Sequence, residues 1–192
     1  MARTPSTMRL PVGTPLPRLA RHDVVTGFTW DAAKEARGKK GLLVAFISTH
    51  CPFVLHIKGE LVKVAQEALD QGFAVAMVDS NDPKQHDEDR PEAMARVAKA
   101  EGWRFPYLHD VTQEAAKAFH AACTPDLYLF DAQGKLAYRG QFDDARPSLP
   151  APVTGSSLRA ALKAVAAGQP VAGAQRASLG CNIKWFPGNE PA

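Results

Sequence analysis

The chain has 192 residues, enough for one domain with a sizeable core, and its 45% hydrophobic and 22% charged content is ordinary for a soluble globular protein. The net charge of +3 is spread along the chain with Lys39–Lys40 as the one notable basic doublet, which excludes a nucleic-acid patch, and no apolar run approaches the ~20 residues that cross a bilayer. The N-terminal stretch MARTPSTMRLPVG lacks an apolar signal region, and Cys51, Cys123 and Cys181 are too few and too scattered for a secreted disulfide framework, so a cytoplasmic location without nucleic-acid or membrane partners is expected.

Residues 1–20 hold four prolines and little periodicity, which predicts an arm laid over the domain. A short β element with a turn or short helix follows over 21–40. The run 42-LLVAFIS-48 has the length and continuous apolarity of a strand buried on both faces. After Pro52 the period changes: Val54, Ile57, Leu61, Val64, Ala65 and Ala68 share one face of an amphipathic helix that Gly72 closes. The next apolar run, 73-FAVAMVD-79, makes the order strand, helix, strand, hence a parallel βαβ unit.

A polar segment leads to Pro91, which suits the first turn of a helix carrying Met94, Val97 and Ala98. A short strand over 105–110 and a helix with Ala115, Ala116 and Phe119, capped by Thr112, come next. The runs 127-LYLFD-131 and 135-KLAYRGQF-142 flank Ala132-Gln133-Gly134 as a hairpin. Leu158, Ala161, Leu162 and Val165 mark a last helix that stops at Gly168. Residues 21–168 are thus the domain, and 169–192 an irregular tail packed on it through Trp185 and Phe186.

Chemistry points to Cys51. It lies where a buried parallel strand ends and a helix begins, at the carboxyl edge of the sheet where open α/β folds place their sites. A helix N-terminus offers unpaired N–H groups and a partial positive charge, and both favour thiolate over thiol. Nearby His50 and His56 could suggest a metal, but no third ligand is evident, so no metal or other cofactor is expected and His50 is read as a solvent-facing neighbour that stabilises the thiolate. The acidic run 87-DEDR-90 and Asp143-Asp144 are read as solvated loop charges.

The motifs 50-HCPFV-54, 105-FPYLHDVTQEAAKA-118, 124-TPD-126, 139-RGQFDD-144 and 180-GCNIKW-185 resemble the bacterial alkyl hydroperoxide reductase/thiol-specific antioxidant-like branch of the thioredoxin/peroxiredoxin-like superfamily. The resemblance implies an α/β thioredoxin-like fold, with a central mixed sheet and helices on both faces. It makes Cys51 the nucleophile and Pro125 a cis-proline facing it. The Thr124 backbone would then be offered to a substrate, and His50 would stand where a tryptophan is common. Two departures matter. Val54 occupies the resolving position, so there is no CxxC pair. Ser48 supplies the hydroxyl of a peroxiredoxin PxxxTxxC motif, but Val44 replaces its proline. The expected activity is that of a thiol–disulfide oxidoreductase or thiol peroxidase. Its substrate would be a peroxide or a protein or small-molecule disulfide, and an unidentified thiol reductant would recycle it. Cys181 or Cys123 would resolve Cys51, with Cys181 or an external thiol expected ahead of Cys123. The alternative is a binding module that captures partner thiols or peptides without turnover.

Overall fold

In the computed structural model, which describes residues 3–190, ten strands and five α-helices alternate. Strand β1 is Arg3–Pro5, β2 Ala20–Asp23, β3 Thr29–Asp31 and β4 Gly41–Phe46, with the short helix α1 (Ala32–Glu35) after β3. Helix α2 (Pro52–Asp70) crosses to β5 (Ala74–Asp79), and a 3-10 turn at Asp87–Asp89 precedes α3 (Pro91–Ala100). Then come β6 (Tyr107–His109), α4 (Glu114–Phe119), β7 (Cys123–Thr124), β8 (Asp126–Asp131), β9 (Leu136–Gly140), α5 (Ser156–Ala166) and β10 (Leu179–Asn182).

The main sheet has the order β3-β2-β6-β5-β4-β8-β9. Strand β4 lies parallel to β5 and antiparallel to β8, and β5 is parallel to β6. This is the mixed α/β sheet of a thioredoxin-like fold. Strand β4 is buried along its whole length because alternate side chains enter two cores. Leu43 and Ala45 face α2, α3 and α5, whereas Leu42, Val44 and Phe46 face α4 and α1. Helix α2 buries the six residues whose spacing announced it, Val54, Ile57, Leu61, Val64, Ala65 and Ala68. Each of the larger ones contributes about 1.5–3 kcal/mol of transfer free energy.

Two local expectations are overturned. The α4 cap is not Thr112. Gln113 adopts a left-handed φ of 60°, which turns the chain so that the buried Asp110 carboxylate accepts from the Ala115 and Ala116 N–H groups at 3.2 and 3.0 Å. The segment after α5 is not irregular throughout, because β10 forms a second sheet in the order β1-β10-β7. Trp185 packs against the core, as the tail was expected to do. Trp185 and Phe186 are half-buried, while Ile183 is 1% exposed. Hydrogen bonds from its backbone N–H groups add to the hold: Ile183 N donates to Ala122 O, Lys184 N to Asn81 Oδ1, and Phe186 N to Gln113 Oε1.

Candidate functional site

Strand β4 ends one turn of chain before α2, and Cys51 sits between them as the helix N-cap, with extended backbone at φ −67° and ψ 121°. Pro52 takes the first helical position, where its missing N–H costs nothing. Cys51 is fully buried, and its Sγ donates to Thr124 O at 3.1 Å. Thr124 ends the short β7, and the Thr124–Pro125 peptide is cis. The three elements that carry Cys51, Thr124 and Pro125 therefore meet at one point.

A fourth element lies over that point. Strand β10 runs antiparallel to β7, pairing Cys181 with Thr124 and Asn182 with Cys123. Such close approach requires glycine next to the cysteine. A Cβ on Gly180 would stand 2.0 Å from Thr124 O and 2.5 Å from Thr124 C. On its outer side β10 pairs with β1, Arg3 opposite Cys181. The backbone edge of Thr124, expected to be offered to a substrate chain, is occupied by the protein's own strand.

That strand brings Cys181 to Cys51. The two thiols are hydrogen-bonded to each other, and Cys181 also takes the Phe53 backbone N–H at the mouth of α2. Burial first, and then the contact with Cys51, push the Cys181 thiol up to about 12, so it remains protonated and acts as a donor toward the Cys51 sulfur. Cys123 points elsewhere: its thiol donates to Pro125 O at 3.7 Å. Burial, followed by the charges of Asp126, Cys51 and Cys181, raises its pKa well above the ordinary value. All three cysteines are buried thiols in one cluster.

Ser48 and His50 lie just ahead of Cys51 in the chain. Ser48 is fully buried, with its hydroxyl 2.9 Å from His50 Nδ1. His50 is not solvent-facing as expected: its side chain is 5% exposed, and Nδ1 lies 2.7 Å from Asp89 Oδ2. Asp89 in turn is not a solvated charge. It is fully buried and also accepts from Thr49 N and Asn81 Nδ2 at 3.1 and 2.9 Å. The run 87-DEDR-90 misled because its other acids face water while the 3-10 turn drives the third inward. Asp143 is likewise buried, its carboxylate stapling the loop ahead of α5 through Ala145 N, Thr154 N and Gly155 N. Asp144 remains at the surface. His56 is on the exposed side of α2, so it does not converge with His50. Among the described residues no cluster of His, Cys, Asp and Glu could hold a metal, and no helix is long and apolar enough to cross a membrane.

A cavity of about 20 Å³, room for one water-sized molecule, lies between Phe53, Ile57, Pro125, Phe142, Arg146 and Leu179. The larger surface pockets, of about 620 and 450 Å³, contain no cysteine.

Comparison with known proteins agrees with this architecture. The AhpC/TSA family model matches residues 12–139. The chain is 45% identical to an uncharacterized conserved protein from Geobacillus kaustophilus, with 97% of this chain and 98% of that one covered and a TM-score of 0.93. A hypothetical protein from Sinorhizobium meliloti 1021 is 44% identical over 96% of this chain and all of its own, with a TM-score of 0.91. A peroxidoxin from Mycobacterium tuberculosis shares the fold at 13% identity, covering 83% and 98% of the two chains with a TM-score of 0.61. No curated protein matches the chain.

Proposed function

The chain belongs to the AhpC/TSA family, and from that premise we propose that it is a two-cysteine thiol oxidoreductase acting on small oxidants, hydroperoxides above all, with Cys51 as nucleophile and Cys181 as its resolving partner. The observation that carries this reading is the placement of Cys181, on a strand clamped to Thr124 and in contact with Cys51.

The chemistry follows from that placement. Burial holds the proton on Cys181, whose thiol is in contact with Cys51, so Cys181 does not compete with Cys51 as the nucleophile. The Cys51 thiolate attacks the distal peroxide oxygen. An S–O bond forms, the O–O bond breaks, and the departing alkoxide or hydroxide takes up a proton. The Cys181 thiol then attacks the Cys51 sulfenic acid, forming the disulfide and releasing water. Two electrons from an external thiol reductant return the pair to its starting state.

Substrate size is set by β10. A protein substrate pairing with the Thr124 edge would have to displace a strand bonded on both sides, at about 0.5–1.5 kcal/mol net for each hydrogen bond. A hydroperoxide needs no such exchange, and a cavity about one water in size already adjoins Pro125 and Phe53. A peptide-capturing module has no open edge to work with at this position.

The test is peptide mapping after one equivalent of hydrogen peroxide is added to the reduced protein. A Cys51–Cys181 disulfide is expected, and Cys181→Ser should accumulate a Cys51 sulfenate that dimedone traps. A dominant Cys51–Cys123 bridge, or insulin reduction faster than peroxide reduction, would overturn the proposal.

A further inference from the structure

The strand that carries Cys181 is held in place by the other end of the chain. In the sheet β1-β10-β7, β10 joins β7 over Cys181–Thr124 and Asn182–Cys123. On its far edge, Arg3, Thr4 and Pro5 of β1 stand opposite Cys181, Gly180 and Leu179. Ser6 N donates to Ser178 O at 2.9 Å, so alternation along the antiparallel ladder makes Thr4–Gly180 the next hydrogen-bonded pair. Pro5 falls between these two pairs, where its missing N–H costs nothing. Two side chains complete the attachment: the Ser6 hydroxyl donates to Asp126 Oδ2 at 3.1 Å, and the Thr7 hydroxyl to His120 O at 2.8 Å.

No apolar side chain fixes this segment. Arg3, Pro5 and Thr7 are exposed, Thr4 is half-buried, and the first hydrophobic core residue of the described chain is Leu10. Between Thr7 and Leu10, Met8 adopts a left-handed φ of 52°, an uncommon and strained conformation for a residue with a side chain. A surface segment held by a few hydrogen bonds opens far more often than a core element does. Beyond Cys181, by contrast, the chain is pinned by Ile183, which is buried in the core and donates its N–H to Ala122 O. The Leu179–Gly180 end of β10 depends on β1 and on a bond from the Ser178 hydroxyl to Gly140 O at 2.7 Å. Without β1, β10 would be left as an edge with two residues paired to β7, and two-stranded pairings are marginal on their own.

We propose that residues 3–7 are a latch on β10, and that release of this latch admits a thiol reductant to the Cys51–Cys181 disulfide. This rests on the reading of Cys51 and Cys181 as a redox pair. Both cysteines are buried, and the cavity of about 20 Å³ beside Phe53, Pro125 and Leu179 has room for a water-sized molecule but not for a carbon-borne thiol. The reductant therefore needs β10 lifted, whereas hydrogen peroxide, close to water in size, depends on the latch far less. With the strand lifted, a reductant thiolate attacks Cys181 Sγ. The S–S bond breaks, Cys51 leaves as thiolate, and a mixed disulfide remains on Cys181. A second reductant thiol cleaves that bond. The reductant departs as its own disulfide, Cys181 takes up a proton, and two electrons have entered the pair.

The experiment compares the parent with three variants. Thr4→Pro deletes the N–H opposite Gly180, Ser6→Ala cuts the bond to Asp126, and Val12→Ser changes an exposed position outside the latch. The oxidised proteins are mixed with dithiothreitol, and loss of the disulfide is followed by mass mapping. Thr4→Pro and Ser6→Ala should each be reduced about tenfold faster than the parent, with Val12→Ser unchanged and oxidation by hydrogen peroxide altered less than about twofold. Amide exchange in the reduced proteins needs no turnover. It should quicken over residues 179–181 in the two latch variants, while β4 stays protected. Parent-like reduction and exchange in both folded variants, or equal acceleration in Val12→Ser, would overturn the latch. So would oxidation that quickens as much as reduction. Failure of the parent to react with peroxide at all would strike the functional proposal instead. A disulfide made with diamide, together with the exchange measurement, would still test the latch.

Discussion

Asp126 is the first residue of β8, directly after Pro125, and it is fully buried. The hydroxyls of Ser6 and Tyr128 both donate to its Oδ2, at 3.1 and 3.0 Å. Burial is the larger effect and pushes the carboxyl up to about 7, against its ordinary 3.8. The folded protein thus keeps this proton to near neutrality, while the unfolded chain releases it near pH 4. Folding is most favoured by this group below the unfolded pKa, and that stability is lost as pH rises toward about 7. A displacement of about 3 pKa units corresponds to roughly 4 kcal/mol at pH 8. Asp126→Asn keeps a carbonyl oxygen for Ser6 and Tyr128 but removes the charge. It should therefore stabilise the protein by up to ~4 kcal/mol at pH 8 and change it little near pH 4. Urea unfolding of the reduced parent and variant across this range measures the difference at each pH, which cancels Asp79 and every other titrating group. Parallel stability curves, or a variant that loses ground as pH rises, would refute the argument.

Gly180→Ala should cost several kcal/mol and slow Cys51–Cys181 disulfide formation, because its Cβ would stand 2.0 Å from Thr124 O; denaturant titration and mass mapping check both. Gln113→Ala removes a donor to Ser80 O and Lys184 O and an acceptor for Phe186 N, so amide exchange over 183–186 should accelerate well before global unfolding. Phe119→Ala opens the edge-to-face cluster with Phe46, Tyr128 and Phe130, whose centroids lie 5.4, 5.3 and 5.9 Å away, and should lower unfolding stability by about 3–5 kcal/mol.

The sheet and α2 were legible because their signals are local. Six apolar positions at helical spacing, and apolar runs of strand length, depend on nothing distant. Cys51 and Pro125 were legible for the same reason, the first from its junction and both through a resemblance carried by short motifs. What escaped was long-range. Strand β10 is only four residues with a glycine inside, and nothing in LGCN announces a partner that begins 56 positions earlier in the chain. Asp89 looked like one acid among several, because the same run of charges serves a solvated turn and a buried carboxylate equally well. Its distinguishing partner, His50, lies across the sheet edge rather than beside it in sequence. Thr112 was the best local cap, yet it yielded to Asp110 once Gln113 turned left-handed.

The closing strand also orders events in time. Cys51, α2 and the cis-proline turn all precede α5 in the chain, while β10 follows it. At ~5–20 residues per second, a ribosome spends several seconds between completing Thr124 and completing Cys181, with further delay before the last residues clear the exit tunnel. Throughout that interval the nascent chain carries Cys51 without the strand that will lie against it, and with the Thr124 backbone edge unclaimed. Until β10 pairs with β7, the Thr124 edge is open to another chain's strand in a way that it is not in the finished fold. Thiol chemistry measured on the mature protein will miss this stage.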